Sequence, residues 1–223
     1  MSSQSIPGQR GEALRLGRVL EWVTIGWNSL EALVALAGGI VAGSVSLLGF
    51  GVDSLIETGA GIALLWRLRA DNDNTRAARE RSERIANKAV GVSFLLLCCY
   101  VGVDAARSLV EHKNPEHSIA GIAVAVAALV VMPFLARAKR RVALRLQSEA
   151  LRRESRQSDF CAWLAAILLV GLLSNSLLGW WWADPVAALL MVPIIAREGV
   201  QTLRGESCSC HVPCEGGTTE NGR

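Results

Sequence analysis

Aromatic residues make up only 5% of this 223-residue chain, and none is interleaved with its Arg-rich stretches. Proteins that hold single strands combine a basic groove with aromatic stacking platforms, so nucleic acid is not the partner these cations serve. The first 18 residues contain charges and Gly but no apolar core, which argues against a cleavable signal peptide. No nucleophile paired with a base and no conventional catalytic metal motif stands out, and an intramembrane enzyme becomes a distant reading.

Charge is missing from long stretches, although 19% of the residues are charged. With 51% hydrophobic residues and a mean hydropathy of +0.33, the chain segregates its charges between apolar runs at about 19–41, 44–66, 89–109, 119–135, 160–182 and 185–196. The first five approach the roughly 20 residues that a helix needs to cross a bilayer. The expected fold is all-α, a polytopic bundle of six transmembrane helices.

Orientation follows from the basic residues, because short Lys/Arg-rich loops stay in the cytoplasm. Residues 1–18, 67–88, 137–156 and 197–223 hold 21 of the 23 Lys and Arg, leaving only Arg107 and Lys113 for the other side. Both termini are therefore expected in the cytoplasm. The domain layout reads as a cytosolic segment (1–18) with a short interfacial helix from Glu12, a transmembrane domain (19–205) and a flexible Cys/His-rich cytosolic tail (206–223). Trp180, Trp181 and Trp182, beside Asp184 and Pro185, suit the outer membrane interface.

Two carboxylates stand inside the second apolar run. Asp53 and Glu57 are four residues apart and share a helix face. A charge at membrane depth costs about 3 kcal/mol or more unless it is paired, ligated or hydrated, so such acids mark paths for ions or protons. Two oxygen donors supply half of a four-coordinate divalent site. The fifth run offers the other half in two ways: Glu154, Gln157 and Cys161 share one face, while Asp159 projects about 200° from Cys161 at 100° per residue, with Ser155 four residues before it. The first run adds Asn28 and Glu31 as proton or auxiliary groups. Asp104 reads as a solvated residue near a helix end, and His112 and His117 as polar loop residues.

Cysteine usage splits. Cys98, Cys99 and Cys161 lie in helices, whereas Cys208, Cys210, His211 and Cys214 pack three thiols and an imidazole into seven residues. Such a cluster suits zinc, copper(I) or cadmium, because thiolates select soft and borderline ions.

The segments Ser44-Val-Ser-Leu-Leu, Val52-Asp-Ser-Leu-Ile-Glu57 and Ala183-Asp-Pro-Val-Ala-Ala188, with six crossings, resemble the cation diffusion facilitator superfamily of divalent metal transporters over about residues 19–205. The resemblance implies that Asp53 and Glu57 are metal ligands. It places Gln157 where the family has His and Cys161 where it has Asp, with Asp159 as the alternative register. It also implies export of a divalent cation, zinc or a thiophilic relative such as cadmium, in exchange for protons. Metal and protons would be substrates, with no tightly bound cofactor. The expected setting is a bacterial-type inner or plasma membrane, with the lipid bilayer as surroundings and a homodimer as a candidate assembly. Most relatives append a cytosolic domain of roughly one hundred residues, whereas fewer than 20 residues follow Gly205 here. The rival reading is a non-transporting membrane protein that delivers or scaffolds metal through its tail.

Overall fold

The computed structural model describes residues 7–69, 76–113, 115–146 and 149–204. Among them every regular element is a helix: α1 (Pro7–Ala42), α2 (Val45–Arg69), α3 (Arg76–Val110), α4 (Ile119–Leu146), α5 (Glu149–Leu178) and α6 (Ala183–Arg204). All six are long and apolar enough to cross a membrane. Side chains such as Leu33, Ile40, Ile119, Trp163 and Leu177 are largely exposed on the outside of the bundle, as expected where lipid rather than protein surrounds a helix.

Two boundaries differ from the sequence reading. The expected interfacial helix from Glu12 is not separate, because α1 runs unbroken for 36 residues. Pro7 is its first residue, where a missing N–H costs nothing, and no second proline interrupts it. The fifth helix stops at Leu178 rather than 182. Gly179 ends it with φ of 66°, and its N–H reaches back to the Asn175 carbonyl at 3.1 Å, the left-handed closure that glycine accommodates without a Cβ clash. The three tryptophans therefore form a turn, with Trp180 and Trp182 stacked at 5.1 Å.

The helices pair most extensively as α4 with α5, α3 with α6 and α1 with α2. Without a hydrophobic drive between helices in lipid, close backbone approach has to supply the attraction. At the α3–α6 crossing a Cβ on Gly91 would stand 2.7 Å from Leu203 Cγ and 3.0 Å from the Gly199 carbonyl oxygen, so a larger residue there would push the helices apart.

One end of the bundle is stapled. Asp184, in the first turn of α6, accepts hydrogen bonds from Ser44 Oγ at 2.6 Å, from the Val45 N–H at 3.0 Å and from Ser46 Oγ. The Glu116 N–H donates to the Ala42 carbonyl at 2.8 Å, and Asn175 donates to the Pro115 carbonyl at 3.0 Å. The α1–α2, α3–α4 and α5–α6 connections are thus tied together, and they provide the origin from which depth in the bundle is measured.

Candidate metal centre

At 1.5 Å per residue, Asp53 and Glu57 lie about 12 and 18 Å along α2 from Val45, near the middle of a hydrocarbon core about 30 Å thick. Their spacing turns both toward the bundle axis. Both are buried, and Cys161 of α5 is fully buried opposite them. One ligand atom from each of the three lies within 4.8 Å of the other two. That separation is short enough for one ion to reach all three.

α1 closes the site. Asn28 donates its amide to Glu57 Oε2 at 2.8 Å. Ser54 donates to Glu31 Oε2 at 3.1 Å, and the Cys161 thiol points at the same oxygen from 4.0 Å. Both Asp53 oxygens, Glu57 Oε1, Glu31 Oε1 and Asn28 Oδ1 are buried without a hydrogen-bond partner. The pocket is rich in acceptors and poor in donors, the electrostatic complement of a cation. Its donor set of two carboxylates and one thiol suits a borderline ion better than a purely hard one.

Of the remaining sequence candidates, Gln157 lies next to this cluster in the helix and the others stand apart from it. Gln157, one turn before Cys161 on the same helix, is half-buried with its Nε2 unpartnered. Asp159 does not join: its carboxylate is paired with the exposed Arg140 guanidinium, because it projects from nearly the opposite side of α5. Glu154 faces the bundle interior but pairs with Lys139 at 3.6 Å rather than meeting Asp53, Glu57 or Cys161. His112 packs against Trp181 with ring centroids 4.6 Å apart and planes tilted by 36°. Cys208, Cys210, His211 and Cys214 lie outside the described residues.

Two charged residues escaped the sequence reading. Glu21 of α1 and Lys139 of α4 are both fully buried and paired at 3.2 Å. Lys139 sits inside the basic run 137–141 and looks like one more topology signal. Its helical phase tells otherwise, since Met132, Leu135, Ala136, Val142 and Ala143 share its buried stripe.

The structure sets a fifth-helix thiol beside a mid-bundle acidic pair, and comparison with known proteins identifies the family. The model of the cation efflux transmembrane domain matches residues 22–207. The chain belongs to the cation efflux family. It is a multi-pass integral membrane protein of a family of transporters, not of enzymes. An uncharacterized transporter of Synechocystis is 26% identical over 195 residues, 85% of this chain and 63% of that protein. The cation-efflux pump FieF of Shewanella oneidensis is 29% identical over 175 residues, 74% of this chain and 57% of the pump. The match thus spans about 60% of the length of these relatives.

Proposed function

We propose that this protein is a secondary transporter that exports a divalent cation from the cytoplasm in exchange for protons, with zinc or a thiophilic relative such as cadmium as the ion. The observation that carries the reading is the buried triangle of Asp53, Glu57 and Cys161, all within 4.8 Å at mid-bundle. These three groups bind the ion, and Gln157 adds a neutral donor from the next turn. Ligands must be deprotonated to bind, so metal and protons compete for the same carboxylates and thiol. That competition is the physical basis of antiport, and rocking of helix groups about a midplane site supplies alternating access.

The basic segments favour both termini in the cytoplasm of a bacterial-type inner or plasma membrane. A homodimer is the assembly that the resemblance supports. The site's depth favours transport over a delivery protein working through the tail, because an ion bound between helices at mid-membrane serves no soluble acceptor. The test is flux of several divalent cations into proteoliposomes under an imposed proton gradient, with internal pH followed at the same time. Wild type is expected to move zinc and cadmium with opposite proton movement, and Asp53→Ala is expected to abolish both. Equal flux by Asp53→Ala overturns the assignment.

A further inference from the structure

Below the candidate metal centre, toward the end of the bundle carrying the α2–α3 and α4–α5 connections, lies a second buried charge cluster. Lys139 Nζ stands 3.2 Å from Glu21 Oε1, donates to Glu21 Oε2 at 3.3 Å, and stands 3.6 Å from Glu154. Glu21 and Lys139 have no exposed side-chain surface, and Glu154 has 13%. The neighbouring Arg137, Arg140 and Arg141 are exposed on the bundle surface. Lys139 alone in that run turns inward.

The cluster is continuous with the first site. Glu21 is two turns from Asn28 on α1, and Glu154 is two turns from Cys161 on α5, about 10 Å along each helix. Gly61, one turn beyond Glu57 on α2, faces Glu21: a Cβ there would stand 3.6 Å from Glu21 Oε2. Lys139 lies about 30 Å along α4 from Ile119, near the opposite membrane boundary, where an ion passing to or from the centre has to cross.

Charge decides what the cluster suits. Two carboxylates and one ammonium leave one negative charge over, in a setting where unpaired charge is costly. Glu21 Oε1 has no hydrogen-bond partner despite its closeness to the ammonium. A divalent cation in place of the ammonium balances both carboxylates. We propose that Glu21 and Glu154 form a second site for the transported divalent cation, a waypoint at the mouth of the path, and that the ammonium of Lys139 plugs it in this conformation. The ion displaces the ammonium toward solvent, and the ammonium returns when the ion moves on. This inference rests on the transport reading.

The test is equilibrium dialysis of cadmium against the full chain in detergent micelles, with Cys208→Ser/Cys210→Ser/Cys214→Ser as the wild-type background of every variant so that the tail thiols add no ion. Wild type is expected to bind one ion at the centre, Lys139→Met to bind a second, and Lys139→Met/Glu154→Gln to return to one. The second ion is also expected in Lys139→Met/Asp53→Ala, so loss of the centre is read separately from loss of the waypoint. If wild-type binding survives Asp53→Ala, the transport-site reading fails; if Lys139→Met folds and adds no ion, the waypoint fails. The charge-neutral triple variant Glu21→Gln/Lys139→Met/Glu154→Gln guards against misfolding by unpaired charge. It is expected to keep cadmium binding at the centre while flux at low cadmium falls at least tenfold. Wild-type flux in that variant marks the triad as purely structural and overturns the proposal.

Discussion

Asn28 donates its side-chain amide to Glu57 Oε2 at 2.8 Å while Glu57 Oε1 stays unpartnered. One oxygen of the carboxylate is thereby held and the other presented to the pocket. Groups that orient a metal ligand in this way typically account for 10- to 100-fold in affinity. Asn28→Ala is expected to weaken zinc and cadmium binding about tenfold with the fold intact, as read by competition with a chromophoric chelator. An unchanged affinity removes Asn28 from the site.

Cys161 is the soft donor of the proposed site, and Asp159 stands outside it on an exposed pair with Arg140. Cys161→Ser is expected to lower cadmium affinity by about tenfold or more and zinc affinity less, because thiolate ligation favours the softer ion. With Cys208, Cys210 and Cys214 replaced by Ser, the ultraviolet charge-transfer band of the cadmium complex should vanish with it. Asp159→Ala is expected to leave both affinities as they are, since an exposed ion pair contributes little even to stability. The opposite pattern would move the site to the other face of α5.

Acid should release the metal. In the proposed mechanism proton and ion compete for the same groups, so apparent affinity is expected to fall with decreasing pH, by about tenfold per unit for each proton displaced. Dialysis across a pH series checks the slope, and an affinity that does not change with pH contradicts the competition.

Asp184 is expected to behave differently from the pocket acids. Asp184→Ala strands two serine hydroxyls and the Val45 N–H in a buried place, at a cost of roughly 3 kcal/mol. A lower Tm in detergent with unchanged cadmium affinity per folded molecule is the expected result, with partial recovery in Asp184→Asn.

Much of this molecule is legible in its sequence because a bilayer leaves few options. Six apolar stretches become six helices, and the 3.6-residue turn alone puts Asp53 with Glu57 and Glu154 with Cys161. Helix phase left two faces of the fifth helix open, one with Gln157 and Cys161 and one with Asp159, and the family resemblance preferred the first. What periodicity cannot supply is which faces meet. Ser44 and Asp184 are 140 residues apart, and their segments carried the family resemblance without announcing that they bond to each other. Glu21 and Lys139 were hidden for a related reason: Glu21 lies just inside the first apolar run and Lys139 within the basic run 137–141, near the membrane edge where solvated side chains are the rule. Only the buried phase they share with Asn28 and Met132 sets them apart.

The central claim is that one thiol and two carboxylates hold the transported ion, and X-ray absorption of the zinc-loaded protein measures this directly. One sulfur at about 2.3 Å with the remaining ligands oxygen or nitrogen at about 2.0–2.2 Å is expected, with the sulfur lost in Cys161→Ser. A wild-type shell without sulfur, or one with three sulfurs that survives Cys161→Ser and so belongs to Cys208, Cys210 and Cys214, contradicts the account.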